Sequence, residues 1–214
     1  DEVVLESEEL TKQLVANIGK EFSLNFPVKD IYGNYVKRGR INLFLDNVIL
    51  LNNEPINVMN GYAEFIGTLP NDIKVMTHDL SIVYTDPSNK YLQTTYQTKL
   101  KVQPIETQII ANTIYATSNS PTMVDYSIES TYGTVRSGRL EAYYGSELIG
   151  WSDVSDAITT ITINVPILSA ENTYEITLKF IAQDNYANSS ITVPMIITKP
   201  NVVITPLQEQ YYPQ

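Results

Sequence analysis

The stretch Asp30-Ile31-Tyr32-Gly33-Asn34-Tyr35-Val36-Lys37-Arg38-Gly39-Arg40-Ile41-Asn42-Leu43-Phe44-Leu45 has a second version in the chain. It is Ser130-Thr131-Tyr132-Gly133-Thr134-Val135-Arg136-Ser137-Gly138-Arg139-Leu140-Glu141-Ala142-Tyr143-Tyr144. Both read Tyr-Gly, then Val, then Gly-Arg, then an alternating apolar run. The two glycines are one residue closer in the second version, which is a change of loop length that leaves the register of the following strand intact. Gly33 and Gly133 suit a turn with positive φ, where a residue without Cβ carries little steric penalty. A second glycine opens the next strand, whose Ile41, Leu43 and Leu45, or Leu140, Ala142 and Tyr144, point to one face. A strand–turn–strand unit that recurs at this period predicts two copies of one domain.

Length agrees, since 214 residues divide into two domains of ordinary size. The apolar residues are the β-prone Ile, Val, Tyr and Leu. Fifteen Tyr against five Phe and one Trp suit thin sheets whose rings are buried and whose hydroxyls stay wet. Eleven Pro and nine Gly punctuate short runs, so the composition predicts an all-β chain. The formal charge is −10, which repels nucleic acid and anionic lipid. No apolar run is long enough to insert in a membrane. Cysteine is absent, which removes disulfides, thiolate nucleophiles and Cys-type zinc sites. The charged start, with no signal segment, reads as an internal piece of a longer protein.

In chain order, Val3-Val4-Leu5 is a short first strand, and Leu10 to Val15 reads as an irregular strand crossing rather than a helical turn. Phe22, Leu24 and Phe26 alternate with Ser23 and Asn25 as a half-buried strand. Asp46-Asn47 is a hairpin turn, and Asn60-Gly61 gives the strongest short-range hairpin signal in the chain. Strands over Leu80–Tyr84 and Thr94–Val102 close the first domain, expected over residues 1–103. The second, over 104–200, repeats the order through Met123–Glu129, Arg139–Tyr144, Glu147–Trp151, Ile158–Val165, Tyr174–Phe180 and Ser190–Thr198. Residues 201–214 read as the opening of a third repeat or a linker. About seven strands per domain, with turn signals every eight to twelve residues, predict two tandem immunoglobulin-like β-sandwiches.

The ends of the two copies carry a family resemblance. His78-Asp79-Leu80-Ser81-Ile82-Val83-Tyr84 is followed by Asp86 and Tyr91; Tyr174-Glu175-Ile176-Thr177-Leu178-Lys179-Phe180 is followed by Asp184, Asn185 and Tyr186. This resembles the tandem immunoglobulin-like repeats of large adhesin-like surface proteins of bacteria and methanogenic archaea. Their repeats also carry a central Gly-x-x-Val-x-x-Gly turn. The resemblance implies a stalk or binding repeat on a cell surface, with no catalytic residues to carry over. His78 departs from it, standing where Tyr174 places the corner tyrosine.

Reactive chemistry is sparse. One histidine excludes multi-His metal sites, and no serine elbow, phosphate loop or dinucleotide fingerprint is present. Paired carboxylates for glycoside hydrolysis are left open by the sequence alone, though such a sandwich offers them no evident cleft. No cofactor is expected. Trp151, Tyr143 and Tyr132 are the candidates for a sugar-stacking platform, weighed against core packing. Tyr143 and Tyr144 are adjacent and must face opposite ways, so one of them is expected in the core. Asp30, Asp46, Asp72, Asp86 and Asp184 read as turn residues before calcium ligands, lacking the Asp-x-Asp-x-Asp spacing. Lys20 and Lys29 are placed for a Lys–Asn crosslink in the first domain, whereas Lys179 and Lys199 come late in the second. Asn188 heads a glycan acceptor sequon, with a polar turn as the plainer reading.

These readings converge on a non-catalytic, extracellular stalk and contact module whose partners are neighbouring repeats of its own chain and another cell's surface protein or glycan. The alternative is a carbohydrate-binding accessory region of a surface enzyme, marked by an exposed aromatic strip near Trp151. A viral fibre or decoration domain is a third. Pro104 and Pro200 mark joints whose bending is limited by a fixed φ.

Overall fold

The computed structural model describes residues 1–200 and 204–206. It falls into two compact units, one of Asp1–Thr107 with Ser130–Gly133 and Ala182–Ala187, the other of Gln108–Glu129, Thr134–Ile181 and the chain from Asn188. Most of the expected third repeat lies outside the described residues.

The first unit runs β1 (Val3–Val4), α1 (Glu8–Thr11), β2 (Leu14–Asn17), β3 (Glu21–Pro27), β4 (Lys29–Asp30), β5 (Arg40–Leu45), β6 (Ile49–Leu50), β7 (Ile56–Asn57), β8 (Tyr62–Thr68), β9 (Thr77–Thr85) and β10 (Thr94–Gln103). One sheet has the order β2-β10-β9-β5-β6, with β7 also on β5. The facing layer holds the β3–β8 and β1–β4 pairs. Alternation places Phe22, Leu24 and Phe26 inward against Ile41, Leu43, Leu45, Leu80, Ile82 and Tyr84, all buried.

The second unit repeats the plan with β11 (Thr107–Ala111), β12 (Ile114–Ala116), β13 (Pro121–Ser130), β14 (Gly133–Thr134), β15 (Arg139–Tyr144), β16 (Glu147–Asp153), β17 (Thr160–Asn164), β18 (Thr173–Ile181) and β19 (Ser189–Ile197). Its sheets are β12-β19-β18-β15-β16 and β11-β13-β14, with β17 on β13. Each unit is therefore an immunoglobulin-like sandwich. Two strands that the alternation does not signal complete it. β2 runs parallel to β10, pairing Leu14 with Leu100, and β12 runs parallel to β19, pairing Ile114 with Met195.

The repeated stretch occupies matching places. Gly33 and Gly133 have φ of 84° and 95°, and Gly39 and Gly138 have 103° and 100°. Val36 donates its N–H to Val28 O at 2.8 Å, as Val135 does to Ile128 O at 2.7 Å. Gly39 O accepts from Val58 and Gly138 O from Val154. The extra residue of the first copy thus lies between Gly33 and Val36, ahead of a buried valine that resets the register.

Two local expectations change. A helical turn does form, over Glu8–Thr11, and it buries Leu10 before β2 begins. Asn60 and Gly61 adopt the left-handed conformation, with φ of 53° and 80°, and close the expected tight reversal, in which Met59 and Tyr62 exchange backbone bonds, but the pairing ends at that one bridge. β7 pairs with β5 and β8 with β3, so this turn carries the chain from one sheet to the other. A turn type fixes the local reversal, while the strand partners are set by which side chains reach the core.

The two glycines of the motif should differ sharply in tolerance. A Cβ on Gly33 meets nothing within 4 Å, so Gly33→Ala should cost only the left-handed penalty of about 1–2 kcal/mol. A Cβ on Gly138 would sit 2.6 Å from Ile181 O and from the Phe180 ring, so Gly138→Ala should cost roughly 2–5 kcal/mol. Urea unfolding of both variants checks this; equal costs would contradict the packing described.

Candidate functional site

The aromatic candidates of the second unit lie on the outer face of β15, β16 and β18. Trp151 is opposite Glu141 in the β15–β16 ladder and is 52% exposed. The Arg139 guanidinium stands 4.3 Å from the Trp151 ring centroid and donates from Nε to Glu141 Oε2 at 2.9 Å. Tyr143 donates its hydroxyl to Glu141 Oε1 at 3.0 Å, and Lys179 Nζ lies 4.8 Å from the Tyr143 ring centre. Cation–π and charge-assisted contacts therefore link five side chains into one network. The Glu141 carboxylate pushes the Tyr143 hydroxyl pKa up, first through the hydrogen bond it accepts. One face of Trp151 is already engaged by Arg139. Tyr132, exposed, belongs to the first compact unit and not to this network, its N–H donating to Ser130 Oγ. Tyr144 turns inward, as adjacency to Tyr143 requires, yet it is only half-buried and meets Tyr174 edge-on at 6.1 Å. Neither member of the Tyr143–Tyr144 pair is a fully buried core residue.

Tyr174 opens β18 on its inward side. Its hydroxyl accepts from Ser169 N at 3.1 Å and lies 3.4 Å from Ser169 O, five residues upstream. His78 holds the matching place on β9. Its Nε2 is 2.7 Å from Lys74 O and its Nδ1 is 2.7 Å from Asp46 Oδ2. Both neighbours are acceptors, so both ring nitrogens must carry hydrogen to satisfy them, and the ring is favoured as imidazolium. Burial pulls the imidazole pKa down, but the Lys74 carbonyl and the Asp46 carboxylate outweigh it and leave it raised. Asp46 is held below the usual carboxylate range, first by the His78 bond and then by the Asp79 N–H. Asp46 itself is the residue the sequence reading did not connect to His78. Its signal lay in the repeat: Gly145 stands at the corresponding turn in the second copy, where the corner is a tyrosine.

The turn aspartates mostly bind their own loops. Asp86 accepts from Ser88 N and Oγ, Lys90 N and Tyr91 N, within 2.7–3.1 Å. Asp30 accepts from Tyr32 N, Asn34 N and Asn34 Nδ2. Lys20 pairs with Glu106 at 2.7 Å and Lys199 with Glu171 at 2.9 Å, and Lys29 stands over Tyr35. Asn188 is exposed immediately before β19. A buried amide that sequence reasoning missed is Asn52, which accepts from Leu43 N and donates to Asn42 Oδ1 and Glu54 O. It replaces a strand partner where β6 leaves β5.

No protein-family model and no curated protein matches the sequence. Solved structures of tandem domains do match. Titin domains A168–A170 align at 10% identity with TM-score 0.47, over 89% of this chain and 64% of that one. The insect immune protein hemolin aligns at 12% identity with TM-score 0.45, over 89% of this chain and 46% of that one. Another titin structure, A168169, aligns at 10% identity with TM-score 0.39, over 90% and 97%.

The corners give two tests. A raised imidazole pKa stabilises the first unit fully below about pH 6.5 and less as pH rises through the folded value; Asp46 contributes above about pH 3.8 and is lost on acidification. Stability should therefore decline from pH 6 to 9 in urea unfolding, and Asp46→Asn, which keeps a turn-competent residue, should flatten that slope. A flat wild-type profile would refute the charged pair. In the second unit, Ser169 is exposed and water can replace the lost bond, so Tyr174→Phe should cost about 0.5–1 kcal/mol. Tyr174→Ala should cost more, having also removed the Tyr144 contact.

Proposed function

We propose that this chain is a non-catalytic structural and adhesive module, with residues 1–103 and 104–200 as successive repeats of an extracellular surface protein of the adhesin-like kind. The observation that carries the reading is the parallel pairing of each unit's early and last strands. β2 and β10 align Leu14–Asn17 with Leu100–Gln103, and Ile18 N extends the ladder to Gln103 O at 3.1 Å. β12 and β19 do the same, with Thr198 N on Ala116 O at 2.8 Å. Tension applied between the two ends of a unit pulls such strands in opposite directions along one axis. Their hydrogen bonds are then sheared together rather than opened one at a time, which suits a stalk that holds a contact surface away from the cell. Neighbouring repeats and an opposing surface protein or glycan are the partners this reading implies.

The carbohydrate-binding reading rests on the half-exposed Trp151. Its ring is stacked by Arg139, which is itself tied to Glu141, so a sugar would have to displace a charged partner there. That weighs for the structural role.

Force spectroscopy of the chain tests the proposal. Two resisting events should appear, each releasing roughly 300 Å of chain. Val102 N bonds to Met76 O, which turns the N–H of Lys101 toward β2. Lys101→Pro removes that donor from an exposed position and should lower the unfolding force of the first unit, leaving the second unchanged. Unfolding at forces typical of unzipping, or an unaffected first event, would overturn the mechanical reading.

A further inference from the structure

The two copies treat one sheet edge differently. In the second unit the outer edge of β17 is covered by β16. Gly150 comes so close that a Cβ there would lie 2.3 Å from Thr162 O. In the first unit the corresponding strand is β8, and the segment matching β16 is broken into the two-residue strands β6 and β7. β8 pairs only with β3. Tyr62 exchanges backbone bonds with Met59 in both directions, at 2.8 and 3.0 Å, so its backbone groups face away from β3. Alternation then turns the N–H and C=O of Glu64, Ile66 and Thr68 to the same free edge. Among the described residues no further backbone bond is made along it.

Two clefts open on that edge, of 490 and 420 Å³, and both are bounded by Glu54, Ile56 and Glu64. Their lining contains no lysine or arginine. Past Tyr62 a third cleft of 430 Å³ carries Glu6, Glu8 and Glu9 against the single cation Lys29. β8 contains neither Lys nor Pro, and its one charged side chain, Glu64, repels acidic strands but not basic ones. We infer that the β8 edge of the first unit is a strand-addition site for an extended, lysine- or arginine-rich segment of a partner protein. Backbone bonds to Glu64, Ile66 and Thr68 hold the segment, and Glu54 and Glu64 select its charge. A second copy of this chain is a poor occupant, because it brings a net charge of −10 to an acidic groove.

The probe is a capped ten-residue peptide alternating Lys and Thr, titrated into the full chain with amide NMR shifts and hydrogen exchange as readouts. The amides of Glu64, Ile66 and Thr68 should shift and gain protection. An equivalent Glu–Thr peptide should leave them unchanged. Glu64→Lys should weaken binding at least tenfold. Ile66→Pro removes an edge-facing N–H that the β3 ladder does not use, and it should abolish the protection at this edge. Binding of the basic peptide that survives Ile66→Pro would show diffuse charge attraction and overturn the site. So would a failure of the wild-type β8 amides to respond. Self-association in sedimentation that protects the same amides would overturn the committed occupant in favour of a second copy.

Discussion

A backbone that must pass directly against a buried ring constrains everything downstream of it. Gly39 lies where a Cβ would be 2.3 Å from the Tyr84 ring, and Gly138 where it would meet Phe180. Only glycine fits, because the left-handed φ and the contact exclude side chains together. That contact sets the depth at which β5 and β15 enter the sandwich, and the buried alternation of Ile41, Leu43 and Leu45, or Leu140 and Ala142, follows from it. Tyr84 adds a hydroxyl bond to Arg38 O at 2.8 Å, and burial, with the Asp86 charge, pushes its pKa up to about 12. Phe180 fills the same place without a polar bond.

The two repeats solve their opposite corner in different chemical currencies. One uses a neutral phenol, Tyr174, with Tyr144 beside it and Gly145 in the turn. The other uses His78 against a carboxylate, with the buried Leu45 at the end of β5, where the second copy has Tyr144, and Asp46 in the turn. The exchange of three side chains is concerted: a smaller ring leaves room, and the adjoining turn supplies the acceptor that its second nitrogen requires. Each corner is polar-satisfied, but only one of them holds an imidazolium, whose charge is lost as the pH rises.

The repeat, the all-β character and most strand bodies were legible because they depend on local alternation and on glycines that a turn demands. β2 and β12 were not, since each is only three or four residues and is defined by a parallel neighbour over eighty residues away in the chain. The Asn60-Gly61 turn was legible as a reversal but not as a change of sheet, which depends on Ala63 and Phe65 packing against the β3 side. His78 was recognised as the counterpart of Tyr174. Its partnership with Asp46 was not, because it joins positions thirty-two residues apart through the fold. The acceptor geometry of Asn52 has no sequence signature at all.

The parallel terminal ladders have a further consequence when set beside a chain without cysteine. No disulfide divides either unit, so under the mechanical role proposed above a unit that yields gives up its folded contour with no disulfide broken. The bonds that failed are backbone hydrogen bonds, which re-form when the strands meet again. In that proposed role such a chain would dissipate work on each extension and recover on relaxation, in oxidising and reducing surroundings alike.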